Sequence, residues 1–354
     1  MVSIEILQDK DFQDLNYDVN TDLFAESKNF TELIHVSAST LPYSFYYGSA
    51  VVYNNEIHLL GGSGGNTKHY KWNGSSWASV STLPYSFYYG SAVVYNNEIH
   101  ILGGDGNATK HYKYNGSSWT SVSTIPYNFY RGGAVVYNNE IHLLGGSGNG
   151  MVHYKWNGSS WTSVSTMPYN FYYWSPAIVY NNEIHIMGSG INSSSYATKH
   201  YKWDGSSWTS VSTLPYNFCY GGSAVVYNNE IHILGSNKNQ TAHYKYDGSS
   251  WISVSTLPYS FYDGSAVVYN DGIHILGSGN SSYYKNHYAL DVPTELSQMY
   301  LPAKTYIICD HSTSVSSTPS NLTKFTYGYI VNNTGIVTIS GNFALCYSGI
   351  RYVL

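Results

Sequence analysis

The sequence predicts an all-β protein whose main body is a six-bladed β-propeller. A proline and its neighbours recur six times, with spacings of 42, 42, 42, 47 and 43 residues. A period of this length is typical of propellers and solenoids, and the period-two alternation with abundant Gly and Asn excludes helical solenoids. The recurring prolines are Pro42, Pro84, Pro126, Pro168, Pro215 and Pro258.

Each repeat divides into four short strands, a to d, joined by tight turns. In the first repeat Asn54-Asn55 is a two-residue hairpin signal, because Asn tolerates the positive φ of a type I′ turn. Residues 73–76, Asn-Gly-Ser-Ser, form the turn before strand d. The predicted strands of this repeat are a at 48–53, b at 56–60, c at 68–72 and d at 77–80.

The two ends of the array indicate how the ring closes. The sequence has six a-b-c sets but only five d strands that begin with Trp. Residues 35–40 precede the first repeat, in the place where a d strand is expected. The N-terminal strand is therefore predicted to complete the sixth blade, which removes open sheet edges. This divides the chain into an N-terminal arm or docking segment at 1–32, the propeller at 33–291 and a small β-rich C-terminal module at 292–354.

The repeat resembles the kelch repeat of β-propellers in the order of its marker residues. A Gly pair follows strand b, a Tyr lies in strand c and a Trp opens strand d. Repeats four to six depart from this pattern, since a single Gly precedes Ser there. The resemblance spans residues 33–291 and implies a propeller whose loops bind partners. The matches are Gly61-Gly62, Tyr70 and Trp77, then Gly103-Gly104, Tyr112 and Trp119, then Gly145-Gly146, Tyr154 and Trp161, with Trp208 and Trp251 in repeats four and five.

Composition and charge exclude several classes of protein. The net charge is −5 with 16 Lys and Arg, which argues against nucleic-acid binding. No run approaches the ~20 apolar residues of a membrane-spanning helix, and the N-terminus lacks the features of a signal peptide. The three cysteines are too few for a disulfide framework, although Cys309 and Cys346 could pair in an oxidising compartment.

Differences among the six copies are concentrated in the loops of one predicted face. Successive turns of an antiparallel blade alternate between faces, so the b–c and d–a loops share one side. Function often lies on such loops, and Tyr-rich rims suit sugars and proteins, whereas drift on an unconstrained surface is the alternative. The residues expected to bind a ligand are Tyr47, Tyr89, Arg131, Tyr173, Trp174, Tyr220 and Asp263.

Twelve of the 14 histidines form two rows, with one residue of each row in every repeat. Rows spread around a ring do not converge on a metal, so we expect packing between blades with hydrogen bonds and no metal or cofactor. Glu56 and its copies lie two residues from the first row and are candidate partners. The rows are His58, His100, His142, His185, His232 and His274, and His69, His111, His153, His200, His243 and His287.

The sequence contains no catalytic motif, and no catalytic residue is predicted. Some kelch propellers are copper radical oxidases or sugar epimerases, but Cys219 lacks the special histidine pair that the oxidase resemblance requires. A catalytic group is expected to break the repeat, and only Arg131 and Asp263 do so as charged residues on the variable side.

These observations favour a non-enzymatic binding protein. Near-identical tandem units of low charge, rich in Asn, Tyr and Ser, resemble kelch proteins encoded by bacteriophages and prophages. The resemblance implies a virion component, in a tail, baseplate or head decoration, that binds a host-surface glycan or protein. The arm or the C-terminal module is expected to contact other virion proteins, and a homo-oligomer is left open. The alternatives are a bacterial interaction module, which would be cytoplasmic or at the cell surface, and a sugar-active enzyme.

Overall fold

The computed structural model describes residues 34–64, 66–173, 175–189, 196–254, 256–270 and 272–291, and eight strands between 296 and 353. Contacts between residues divide the chain into one unit at Ser37–Asp291 and another that contains Met1–Val36 and Val292–Leu354. The predicted arm at 1–32 lies outside the described residues. The boundaries inferred from the sequence stay predictions.

Twenty-four of the strands build the propeller. In chain order they are β1 (Ile34–Thr40), β2 (Ser49–Tyr53), β3 (Glu56–Leu60), β4 (His69–Trp72), β5 (Trp77–Ser79), β6 (Ser91–Tyr95), β7 (Glu98–Leu102), β8 (His111–Tyr114), β9 (Trp119–Ser121), β10 (Gly133–Tyr137), β11 (Glu140–Leu144), β12 (His153–Trp156), β13 (Trp161–Ser163), β14 (Ala177–Tyr180), β15 (Glu183–Met187), β16 (His200–Trp203), β17 (Trp208–Ser210), β18 (Ser223–Tyr227), β19 (Glu230–Leu234), β20 (His243–Tyr246), β21 (Trp251–Ser253), β22 (Ser265–Tyr269), β23 (Gly272–Leu276) and β24 (Asn286–Asp291). A short 3-10 helix, Ser281–Tyr283, precedes β24.

The strands form six four-stranded sheets, one for each blade. Five blades use consecutive strands, for example β2-β3-β4-β5. The sixth blade has the order β22-β23-β24-β1, so its outermost strand comes from the start of the chain. The predictions of an all-β, six-bladed propeller and of closure by the N-terminal strand are confirmed.

Turn chemistry and burial explain why the repeat folds into a blade. Asn54 and Asn55 have φ of 50° and 57°, as a type I′ turn requires, and they join Tyr53 to Glu56 in register. Strand b is the buried middle of the blade, and Ile57 is fully buried within it. Apolar burial of this kind in every blade supplies the main driving force for folding.

A close contact between blades explains why one glycine is retained in every repeat. A Cβ on Gly61 would lie 2.0 Å from the carbonyl oxygen of Phe87 in the next blade, and its φ is +62°. The hydroxyl of Tyr43 donates to the carbonyl of Gly61 at 2.8 Å, and the same bond recurs in all six blades. The second glycine is also constrained where it is present, since Gly62 has φ of +87° and a Cβ there would lie 2.8 Å from the Tyr46 carbonyl oxygen. In the sixth blade a serine takes this place, and the hydroxyl of buried Ser278 donates to the Ser260 carbonyl at 2.6 Å.

The histidine rows pair with each other inside the blades. Nδ1 of His58 lies 2.7 Å from Nε2 of His69, and the equivalent pair is present in each blade. Glu56 was a candidate partner of His58, but its carboxylate instead forms a salt bridge with Lys71 at 2.9 Å. The ring of His69 also packs 5.7 Å from Trp119 of the next blade, as interblade packing predicts. Burial lowers the pKa of His58 to about 4 and that of His69 to about 3, so both are neutral at pH 7.

The C-terminal residues form two further sheets. One has the order β25-β30-β27 and the other β28-β29-β26-β31-β32, both antiparallel. The strands are β25 (Leu296–Leu301), β26 (Thr305–Cys309), β27 (Ser314–Ser316), β28 (Leu322–Phe325), β29 (Gly328–Val331), β30 (Gly335–Ser340), β31 (Phe343–Tyr347) and β32 (Ile350–Val353). The side chains of Cys309 and Cys346 lie outside the described part, so their pairing stays open. In the part of the chain that the structure describes, no helix is long and apolar enough to cross a bilayer.

Candidate ligand-binding face

The b–c and d–a loops lie together on one side of the propeller, here called the variable face. Backbone hydrogen bonds join the two loops in successive blades, from the amide of Ser63 to the carbonyl of Tyr46 at 2.8 Å and from Asp105 to Tyr88 at 3.0 Å. The amide of Gly279 donates to Tyr262 in the sixth blade at 2.6 Å. These bonds fix the loops as a continuous rim.

Six residues of the d–a loops, here called the belt, surround the inner end of this rim. Hydrogen bonds pass from blade to blade along it: the amide of Tyr47 donates to the carbonyl of Asp263 at 2.8 Å, Tyr89 to Tyr47 at 2.9 Å and Arg131 to Tyr89 at 2.7 Å. The belt consists of Tyr47, Tyr89, Arg131, Tyr173, Tyr220 and Asp263, which are six of the seven residues predicted from the sequence.

The belt backbone adopts a conformation that these side chains disfavour. All six residues have positive φ, from 52° at Tyr220 to 64° at Tyr47 and Tyr89. A left-handed residue other than Gly costs about 1–2 kcal/mol, and only Asn and Asp relieve part of this cost locally. Such strain is concentrated at ligand and active sites, and five of the six belt residues are neither Gly nor Asn nor Asp.

The belt side chains contact one another in sequence order. The rings of Tyr47 and Tyr89 lie 4.6 Å apart, and the guanidinium of Arg131 lies over the rings of Tyr89 at 4.5 Å and Tyr173 at 5.6 Å. The ring of Tyr220 is 5.1 Å from that of Tyr173. Tilted aromatic contacts and cation–π contacts therefore hold the rings and the guanidinium in fixed orientations.

Asp263 is the buried acid of the belt. It is 9% exposed, and its carboxylate accepts a hydrogen bond from the Tyr47 hydroxyl. Burial raises the pKa of Asp263 to about 7, while this hydrogen bond and the charge of Arg131 oppose the rise. A Cβ on Gly221 would lie 1.9 Å from Oδ1 of Asp263, so the inserted glycine of the fifth repeat makes room for the carboxylate.

A second ring of residues, here called the outer ring, supports the belt and was missed by the sequence interpretation. Tyr46 packs 5.0 Å from Tyr47, and the pairs Tyr88–Tyr89 and Tyr172–Tyr173 repeat the contact at 5.1 and 4.8 Å. The signal was present, since an aromatic residue precedes nearly every belt position in the sequence. In the fifth blade this place is taken by Cys219, a buried free thiol whose pKa is raised by burial.

Two cavities open at the belt. One, of about 210 Å³, is the mouth of the central channel, lined by Tyr47, Asp263 and the small Gly, Ser and Ala residues that begin the innermost strands. The other, of about 440 Å³, lies between the third and fourth blades and is called the blade 3–4 pocket; its lining includes Tyr130, Arg131, Asn170, Tyr172 and Tyr173. The belt therefore separates a small polar chamber from an open, Tyr-lined pocket.

Two other features predicted from the sequence bear on the site. Trp174, the seventh predicted site residue, lies outside the described residues. Among the described residues, no group of three or more His, Cys, Asp or Glu is arranged to hold a metal ion.

Comparison with known proteins establishes the fold and the family. No curated protein matches the sequence. Among solved structures, one described as "Structure of YjhT" matches with a TM-score of 0.62 and 12% identity, covering 75% of this chain and 97% of that chain. At this identity the likeness shows the fold alone. In all, 309 solved chains match, and a fold this widespread does not indicate one particular activity. The family model of the DUF6242 beta propeller domain matches residues 37–287, and the chain belongs to this family.

Proposed function

We propose that this chain is a non-enzymatic binding protein that takes a host-surface glycan or protein on its variable face. The observation that carries the proposal is the belt, where six residues other than Gly hold left-handed backbones around the channel mouth. Packing alone does not require Tyr and Arg at these positions, since Gly adopts this conformation without strain. A ligand that uses their side chains accounts for their presence.

The chemistry of the belt favours a carbohydrate as the ligand. Tyr presents a flat apolar face and a hydroxyl with only two rotatable side-chain angles, so it binds sugar rings at low entropic cost. The outer ring adds further aromatic faces at Tyr46, Tyr88, Tyr130 and Tyr172. A protein partner with exposed polar loops is the second ligand that this surface suits.

We place the propeller in the kelch group on the roles of its marker residues. The retained glycine contacts the neighbouring blade, the marker Tyr70 packs 5.7 Å from Tyr43, and Trp77, which opens strand d, packs 5.5 Å from Trp72. These roles give a structural reason for the order Gly, Tyr and Trp in the repeat.

The proposed setting is a bacteriophage virion, in a tail, baseplate or head decoration. Its support is the resemblance of the low-charge, near-identical repeats to phage kelch proteins. Residues 1–32 or 292–354 would then contact other virion proteins, with no nucleic acid bound, no membrane insertion and no cofactor. Mass spectrometry of purified virions tests this setting, and detection only in the bacterial cell would favour the alternative of a bacterial interaction module.

Binding to host cell-wall material tests the proposed face. The double variant Tyr47→Ala with Arg131→Ala should lose most binding, because it removes an aromatic face and the cation–π contact. Ser75→Ala, in an exposed c–d turn on the other side, should bind like the unmodified protein. Equal binding by all three proteins would contradict the assignment of the face.

One observation favours a sugar-active enzyme as a second candidate. Asp263 is a buried acid beside a Tyr and opposite an Arg, with its pKa raised to about 7 by burial, and such groups are candidates for acid–base catalysis. A glycan turnover screen that Asp263→Asn abolishes would support this candidate. An absence of turnover across the glycans that bind would support the non-enzymatic proposal.

A further inference from the structure

Arg131 gives the belt its only positive charge. The sequence has two arginines, Arg131 and Arg351, and only Arg131 lies in the propeller. The lysines of strand c form salt bridges with Glu56 and its copies, as Lys155 does with Glu140 at 2.9 Å. Lys68 and Lys110 lie 5.1 Å over the rings of Tyr43 and Tyr85, outside the belt. Lys238, in the b–c loop of the fifth blade, acts on Cys219 beside the belt but is not part of it. Arg131 is therefore the one cation within the belt itself.

The guanidinium of Arg131 is held in position for recognition. It lies over the rings of Tyr89 and Tyr173 and hydrogen-bonds the Tyr89 hydroxyl. The two cation–π contacts and this hydrogen bond fix the position of the guanidinium, whose five N–H donors lie in one plane. A planar, pre-positioned fork of this kind suits a carboxylate or a phosphate oxygen pair.

The blade 3–4 pocket surrounds this guanidinium with groups suited to a sugar ring. Tyr130, Tyr172 and Tyr173 supply aromatic faces, and the Asn170 amide can both donate and accept hydrogen bonds. Its volume of about 440 Å³ is within the range of small-ligand pockets. The site thus combines an anion-binding fork with faces for a carbohydrate.

We propose that the ligand is an anionic polysaccharide, and that Arg131 binds its carboxylate or phosphodiester group while the Tyr residues of the blade 3–4 pocket stack on the adjacent sugar. This inference rests on the proposed function and names the ligand class. Asp263 lies three blades away across the ring, so the belt is polarised. The anionic group binds at the Arg131 side, and sugar hydroxyls bind toward the Asp263 side.

The test uses acidic host cell-wall polysaccharide in three forms: native, carboxyl-reduced and dephosphorylated with hydrofluoric acid. We expect the full-length protein to bind the native form about tenfold more tightly than the form that has lost the recognised group, as for a charge-assisted contact. The treatment that weakens binding identifies the group as carboxylate or phosphodiester. Added salt should weaken binding to the native form only.

Three variants assign the effect to Arg131. Arg131→Gln should bind the native form and the form that has lost the recognised group equally. Arg131→Lys should recover part of the preference for the native form. Lys110→Gln removes the same charge outside the belt and should keep the full preference. Thermal melts of each variant show that it folds.

The result that overturns the inference is equal binding of all three forms by the unmodified protein, or a preference that survives Arg131→Gln. Either would leave the proposed function in place, since a neutral glycan or a protein would then be the ligand. Failure to bind intact host surfaces in any form would reject the proposed function, and the inference with it.

Discussion

The backbone amide of Tyr47 donates a 2.8 Å hydrogen bond to the carbonyl oxygen of Asp263, which joins the first blade to the last at the mouth of the channel. The side chains of the same two residues are also hydrogen-bonded. At the perimeter the same two blades meet again, where the indole of Trp77 donates to the Ser39 hydroxyl of β1 at 2.9 Å. Closure of the ring and completion of the belt therefore depend on one blade junction.

Removal of β1 should open this junction. A chain that starts at residue 41 lacks the fourth strand of the sixth blade, so the edge of β24 is exposed and prone to pair with other chains. We expect it to aggregate and to lose ligand binding, as measured by size-exclusion chromatography and the cell-wall assay. A chain that starts at residue 34 keeps β1 and serves as the control. Equal behaviour of the two chains would show that β1 is dispensable.

Backbone strain at the belt predicts that a Gly variant is more stable than an Ala variant at the same position, which reverses the usual order. Tyr89 has φ of 64°, so Tyr89→Gly should be more stable than Tyr89→Ala by about 1 kcal/mol, because Ala keeps the strained left-handed backbone and Gly relieves it. At Val94, inside strand β6, the usual order should hold, with Gly less stable than Ala. Urea unfolding midpoints measure both pairs. If the Gly variant is less stable than the Ala variant at both positions, the belt backbone is not strained.

The raised pKa of Asp263 predicts that replacing this residue with Asn stabilises the protein, and that the gain depends on pH. Its pKa is about 7 in the fold against 3.8 ordinarily, so its contribution is fully present below pH 3.8 and is lost as pH rises through 7. Asp263→Asn should therefore raise the melting temperature most at pH 8 and by clearly less at pH 5, with the gain vanishing as the pH falls below 3.8. The groups that face this carboxyl are Tyr47 and Arg131, with Tyr262 nearby. The exposed Asp105→Asn should have no effect at either pH.

The paired histidines predict acid destabilisation. The pKa of each is lowered by burial to about 4 or about 3, against 6.5 ordinarily. The unfolded chain then binds protons first, so stability is complete above pH 6.5 and falls as pH decreases toward 4. Melting temperatures between pH 7.5 and 4.5 should show this fall. His142→Gln should lessen its slope, whereas a flat profile for the unmodified protein would contradict burial of neutral pairs.

Much of the fold was predictable because the same repeat occurs six times in the sequence. The turn Asn54-Asn55 and the retained Gly61 have local causes, a positive φ and a close approach of the next blade, and both can be inferred from repetition. Ring closure followed from the missing sixth d strand. The pairing of His58 with His69 could not be inferred, because two partners were open to His58. His69 lies two register positions away on the neighbouring strand, and Glu56 lies two residues away on the same strand.

The site was predictable in its members but not in its contacts. Comparison of the copies located the belt, since Arg131 and Asp263 replace Tyr at aligned positions. Nothing in the sequence indicates that the Arg131 guanidinium lies over two Tyr rings or that Asp263 is buried, because both depend on how neighbouring blades meet. The outer ring was overlooked for a related reason, as its tyrosines look like invariant scaffold.

Hydroxyl-radical footprinting of the full-length protein, with and without host cell-wall polysaccharide, tests the belt as the ligand site most directly, because it modifies accessible tyrosines. We expect the polysaccharide to protect Tyr89, Tyr173 and the outer-ring Tyr172, while Ile252, 43% exposed on the outer strand β21, keeps its reactivity. Protection at the c–d turns, or unchanged reactivity of the belt tyrosines with bound polysaccharide, would contradict a ligand site at the belt.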